Sequence, residues 1–133
     1  MKELIEYYDN LSRTYDELYG QEQIVKYLKA SAYIAGDRIL DAGCGTGLGA
    51  ALLRPRYVVC ADISGGMLER AKGRGLDVLM ADLRLLPLRP KSFDAALAIT
   101  VFEDVNDARI LLMYADMVVA ETLGVWLVLK SDE

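Results

Sequence analysis

The 133-residue chain contains no histidine, one tryptophan, three prolines and two cysteines. With no imidazole and only Cys44 and Cys60 as soft ligands, it does not assemble a zinc site, and no metal is expected. The same lack removes the histidine that hydride-transfer chemistry would use, and no Tyr-Lys pair replaces it. No uncharged apolar run reaches 18 residues, and no signal-peptide pattern opens the chain. Both absences point to a cytoplasmic protein away from the membrane. In that reducing setting Cys44 and Cys60 are expected as thiols with no disulfide between them. The net charge of −5 argues against autonomous nucleic-acid binding through a large basic surface, and none is expected.

What is present is ordinary for a folded domain: 53% apolar and 26% charged residues over a length that makes one domain, residues 1–133. The charge is uneven. Arg54, Arg56, Arg70, Lys72, Arg74, Arg84, Arg89 and Lys91 fall in the middle. Glu103, Asp104, Asp107, Asp116, Glu121, Asp132 and Glu133 dominate the last third. Two solvated faces account for this, and so does a molecule that docks an anionic partner on one side.

The first 36 residues read as a helical leader, with apolar stripes Leu4-Ile5-Tyr8-Leu11 and Ile24-Val25-Leu28-Ala32 punctuated by Gly20 and Gly36. Strands and helices alternate over residues 37–133. Strands are expected at Arg38–Ala42, Tyr57–Ala61, Asp77–Ala81, Phe93–Ile99 and Val125–Leu129. Helices are expected at Thr46–Leu53, from Ser64 to Arg74, and over Asp107–Thr122 with Gly124 closing the last. Such alternation builds an α/β fold with parallel strands and right-handed crossovers. An order of 3-2-1-4-5 puts a ligand beyond the carboxyl ends of strands one and four.

The segment Asp41-Ala-Gly43-Cys-Gly45-Thr-Gly47 leaves the first strand as a glycine-rich loop that admits a ligand close to the backbone. A helix starting there would add free N–H groups and the positive end of its dipole. The frame Gly45-Thr-Gly47-Leu-Gly-Ala50 also fits a dinucleotide fingerprint, and Asp62 after strand two suits a ribose diol in either case.

Further motifs separate the two. Asp41–Gly47 resembles motif I of the class I S-adenosylmethionine-dependent methyltransferases. Cys60-Ala-Asp62-Ile63-Ser64 with Met67-Leu-Glu-Arg-Ala71 resembles their second motif. Met80-Ala-Asp82-Leu83, Leu86-Pro-Leu88 and Ser92-Phe-Asp-Ala95 resemble the third and fourth. Tyr7-Tyr-Asp9 and Tyr15-Asp-Glu-Leu-Tyr-Gly20 resemble the leader of the small-molecule and tRNA-modifying branches. The resemblance implies a Rossmann-like, doubly wound, mostly parallel sheet and a methyltransferase whose cofactor is S-adenosylmethionine. It places Gly43, Gly45 and Gly47 at the methionine tail and Asp41 at its amino end. Asp62 would take the ribose hydroxyls and Ile63 the adenine face. Asp82 would take the adenine amine and Leu83 N–H the ring; Met67, Thr100 and Tyr15 complete the cofactor set. Asp62 and Asp82 could instead be helix or turn caps.

The acceptor is not implied. The family's Leu-x-His-Val type signature is here Val101-Phe102-Glu103-Asp104-Val105, so a base, where one is used, is Glu103 or Asp104. Alternatively Asp104 or Asn106 caps the following helix. The family usually adds two strands after the fifth, whereas this chain stops at Glu133. The strand Val125–Leu129 would then be a bare apolar edge. A homodimer, or a partner subunit such as a zinc-ribbon activator, is expected to cover it. A non-catalytic S-adenosylmethionine-binding subunit or scaffold and, behind it, a dinucleotide-binding oxidoreductase are the alternatives.

Overall fold

The structure, a computed structural model, describes residues 1–131; Asp132 and Glu133, counted above among the acidic residues, lie outside the described residues. Two leader helices, α1 (Lys2–Leu11) and α2 (Tyr15–Ser31), precede strands β1 (Arg38–Ala42) and β2 (Tyr57–Asp62). Helix α3 (Gly65–Gly73), β3 (Asp77–Met80), β4 (Phe93–Ile99), β5 (Ala115–Thr122) and β6 (Val125–Lys130) complete the chain. 3-10 runs at Ala50–Leu53 and Val105–Met113 lie in the β1–β2 and β4–β5 connections, and a loop over residues 81–92 joins β3 to β4. Among the described residues no helix is long and apolar enough to cross a membrane.

Among the described residues the sheet has six strands in the order β3-β2-β1-β4-β5-β6. Neighbours are parallel except the β5–β6 pair. Side chains alternate between two cores. Ala95, Leu97, Ile99, Met117 and Val119 face α2 and α3, in a cluster with Tyr27, Ala30 and Leu68. Ala96, Ala98, Val118 and Ala120 face the 105–113 run, with Leu111 and Tyr114. The doubly wound, mostly parallel sheet read from the sequence is present, with its order extended by one strand.

The helix expected over Asp107–Thr122 is the main correction. Its first part is the 3-10 run, and its second part is β5, buried at every position but Asp116. A continuous apolar run gives no periodicity to separate helix from strand. Here the turn decides. Leu123 and Gly124 both have positive φ, 51° and 81°, as a two-residue hairpin requires. Gly124 therefore closes a β-turn rather than a helix. The segment expected as strand five is β6, an antiparallel sixth strand on the sheet edge, so the sheet has one more strand than the five expected.

Smaller corrections follow the same logic. Thr46–Leu53 is a loop and a four-residue 3-10 run, because Gly47 at φ +78° takes the chain out of helical geometry; Gly49 then lies against Tyr27, where a Cβ would sit 2.1 Å from the ring. The leader breaks at Ser12–Thr14, and Gly20 is buried inside α2. The buried face of α2 is Gly20, Tyr27 and Ala30, while Val25 and Leu28 of the expected stripe are exposed. Finally, Cys44 and Cys60 form a disulfide, with Cα atoms 5.4 Å apart, where free thiols were expected. Parallel register seats Cys60 beside Asp41, and the loop after β1 turns back over it.

Candidate functional site

A cavity of about 350 Å³ opens at the carboxyl ends of β1, β2 and β4. Its floor is the glycine loop, with Gly43, Cys44 and Gly45, and the exit of β4 from Ile99 to Phe102. Asp62, Ile63 and Met67 form one side, and Asp82, Leu83 and Arg84 another. The leader closes it with Met1, Leu4 and Tyr8 of the α1 segment and Tyr15 and Gln23 of α2. The structure thus brings together Gly43, Gly45, Asp62, Ile63, Met67, Asp82, Leu83, Thr100 and Tyr15 of the expected set. A larger, more open groove of about 990 Å³ runs between the leader and α3, lined by Asp9, Arg13, Asp16, Glu69, Arg70 and Arg74. There Asp16 and Arg74 satisfy one another, and the groove contains none of the expected cofactor residues.

The three loop glycines serve different ends. A Cβ on Gly43 would lie 2.4 Å from Val101, and one on Gly47 2.7 Å from Leu76, so these two permit close packing. Gly45, with φ +59°, is bare toward the cavity; the atoms nearest a Cβ there are on Met67 and Tyr15, both 3.9 Å away. Its N–H donates to Asp62 Oδ2 at 2.9 Å, and Ser64 N–H donates to Oδ1 at 3.0 Å. Two backbone donors therefore aim the Asp62 carboxylate while leaving lone pairs for a ligand.

Ser64 also ties the leader down. It caps α3 by accepting from Met67 N–H at 3.2 Å, and its hydroxyl donates to Asp9 at 2.5 Å. Gly66 N–H donates to the same Asp9 oxygen at 2.8 Å. The Ser64 hydroxyl, then the Gly66 N–H, hold the Asp9 carboxyl below its usual range. Thr46 in turn donates to Asp16 of α2 at 2.5 Å. Tyr15, on the cavity wall, has its phenol pushed up to about 12 by burial first and by Tyr8 and Tyr19 beside it.

Of the expected cofactor residues Asp41 and Gly47 lie off the cavity lining, and Asp82 lies on it with its carboxylate already engaged. Asp41 lies beneath the loop rather than on the cavity lining. Its Oδ2 accepts from Tyr27 Oη at 2.7 Å, and its buried Oδ1 has no partner among the described residues. Asp82 is engaged by Arg84 through the backbone N–H at 2.9 Å and the guanidinium at 3.1 and 2.7 Å. The Arg84 side chain holds the Asp82 carboxyl down at about 2. Glu103 and Asp104 are exposed and outside the lining. Asp104 accepts from Asn106 N–H at 2.9 Å and caps the 105–113 run. The sequence reading missed Met1, Leu4, Gln23 and Arg84 as lining residues; the Leu4–Tyr8 spacing signalled an apolar face but not that it closes a cavity.

The model of the methyltransferase domain family matches residues 40–121. This chain belongs to the methyltransferase domain family. The matched span runs from β1 through the glycine loop to the end of β5. The domain is 32% identical over 101 residues to a tRNA (carboxymethyluridine(34)-5-O)-methyltransferase of Arabidopsis thaliana, covering 71% of this chain and 25% of that protein. It is 37% identical over 102 residues to a demethylmenaquinone methyltransferase of Clavibacter sepedonicus, covering 66% of this chain and 42% of that one. It thus spans well under half of either relative. Its fold matches a solved S-adenosylmethionine-dependent methyltransferase of Thermotoga maritima with a TM-score of 0.67 at 25% identity, covering 85% of this chain and 58% of that one.

Proposed function

We propose that this domain binds S-adenosylmethionine in the 350 Å³ cavity and serves methyl transfer to an acceptor that enters past the leader. The observation that carries the reading is Gly45. Its bare Cα faces the cavity between Met67 and Tyr15, and its N–H fixes the carboxylate of Asp62. A loop for a zwitterionic tail next to an acceptor for a ribose diol is what this cofactor needs. Asp62 would hold the ribose, and Ile63 and Leu83 the adenine; Gly45, Thr100, Tyr15 and Met67 would enclose the tail and sulfonium. The bound cofactor supplies an electrophilic methyl group, and the protein's part is alignment. A dinucleotide fits less well. Its pyrophosphate uses a helix N-terminus, and this loop leads into four residues of 3-10 structure.

Titration calorimetry with S-adenosylhomocysteine tests the reading: saturable one-site binding is expected, and no heat from a folded sample overturns it. A non-catalytic binding subunit is the second reading, favoured by the position of Glu103 and Asp104 outside the cavity. Binding without turnover in the presence of partners would select it. The β6 edge, with Val125 and Val128 exposed, is the surface we assign to a second copy or a partner subunit. A strictly monomeric mass by light scattering at micromolar concentration refutes the second copy.

A further inference from the structure

At the rim of the cavity, Thr100 holds a backbone conformation its side chain disfavours. Its φ is +57°, in the left-handed region, where a β-branched residue is a genuine outlier. Three hydrogen bonds hold it there. Thr100 N–H donates to Glu121 O at 2.7 Å, its hydroxyl donates to Glu121 Oε1 at 2.5 Å, and Lys26 Nζ donates to Thr100 Oγ1 at 3.0 Å. The other Glu121 oxygen accepts from Gly124 N–H at 2.8 Å and from Lys26 Nζ at 3.1 Å.

Glu121 is fully buried at the end of β5, directly after the apolar run Met117–Ala120. Neither it nor Lys26 lines the cavity. A buried ion pair is weak evidence for stability, because desolvation offsets its attraction, and an apolar residue would serve the core as well. The groups facing it explain the choice. Thr100 O–H, Gly124 N–H and the Lys26 ammonium are all donors, and a carboxylate accepts from all three at once. Burial pushes the Glu121 carboxyl up; Thr100, Gly124 and Lys26 together outweigh that and hold it below its usual range. One residue on, Thr122 Oγ1 donates to Phe102 O at 2.7 Å and anchors the same segment again.

We infer that Glu121 is a positioning residue, which with Lys26 clamps Thr100 in the left-handed conformation and so shapes the β4 exit loop, Thr100–Phe102, that the ligand meets. The inference rests on the reading of the cavity as an S-adenosylmethionine site. Strain of this kind is typical of ligand clamps and persists only where the surroundings impose it.

The test is a double-mutant cycle read as affinity for S-adenosylhomocysteine by calorimetry. Glu121→Gln turns an amide N–H toward a donor and should weaken binding about tenfold or more. Glycine adopts positive φ without a clamp. In a Thr100→Gly background the same substitution should therefore cost less than about threefold, a coupling that general destabilisation does not produce. Equal losses in both backgrounds, or no loss in the first, overturn the inference. A second pair needs no change at Glu121. Thr100→Ala still places a Cβ at positive φ and loses the hydroxyl clamp, so it should bind more weakly than Thr100→Gly; equal or tighter binding by the alanine variant overturns the inference. Wild-type protein that binds no S-adenosylhomocysteine defeats the cofactor reading and this inference with it, whereas wild-type binding with additive losses defeats this inference alone.

Discussion

Asp41 offers the sharpest test of the electrostatics under the glycine loop. The side chain is fully buried, with one oxygen bonded to Tyr27 and the other without a partner among the described residues. Burial pushes its carboxyl up to about 7, against the pull of the Tyr27 hydroxyl and with help from the charge of Asp62. The folded state therefore holds a proton that the unfolded chain has released above its ordinary value of 3.8. The resulting stability is fully present below pH 4 and is lost as pH rises toward 7. At about 1.4 kcal/mol per pH unit, the loss between pH 5 and pH 7 is about 2–3 kcal/mol. With no histidine in the chain, few other groups titrate in that window.

Asp41→Asn is neutral throughout and keeps an acceptor for Tyr27. Urea unfolding of wild type and variant at pH 5, 6, 7 and 8 in one buffer series isolates the effect, since contributions common to both cancel. Wild-type stability should fall relative to the variant by about 2–3 kcal/mol from pH 5 to pH 7 and then level off. Parallel pH profiles would refute the reasoning and mean that Asp41 is ionised in the fold across the whole range.

Two further perturbations separate packing from ligand binding. Gly45→Ala should cost only about 1–2 kcal/mol of stability through its positive φ, yet weaken S-adenosylhomocysteine binding about tenfold or more by filling the cavity floor. Gly43→Ala and Gly47→Ala should cost roughly 2–5 kcal/mol, because strain and overlap add; urea melts that rank Gly45→Ala with the other two, at unchanged affinity, contradict this division. The Cys44–Cys60 disulfide closes a loop with a sequence separation of 16, and reduction should cost about 3 kcal/mol. Alkylation and mass measurement on protein unfolded without reductant should find no free thiol, and two labelled cysteines would refute the bond.

How much of this was legible in the sequence depended on whether local signals were decisive. Ser64, a residue type that favours helix N-caps, marked the start of α3, and glycines and prolines punctuated β1 to β4, so those elements fall within a residue or two of expectation. The motif residues Gly45, Asp62, Ile63, Leu83 and Thr100 converge because the parallel register brings all strand ends to one side of the sheet. The segment 105–122 was not legible, since Met117–Ala120 is apolar on both faces of a central strand and shows neither period. The disulfide was hidden for a different reason. It depends on which residue of β2 lies opposite Asp41, and register is a tertiary outcome that composition does not reveal.

The leader helix α2 does more than close the cavity. Tyr27 supplies the donor for Asp41 at the end of β1, and its neighbour Lys26 supplies the counter-charge for Glu121 at the end of β5. Both acids are buried without solvent exposure, one leaning neutral and the other held ionised. Removing one partner of a buried charged or hydrogen-bonded pair costs far more than the pair contributes. The two carboxyl-end acids therefore require α2 in place, one turn of helix serving sites two strands apart. That dependence gives the leader a structural role at the same strand ends where the glycine loop and Thr100 shape the cavity. Its residues Tyr15 and Gln23 then reach the lining as a consequence of where Tyr27 and Lys26 must dock.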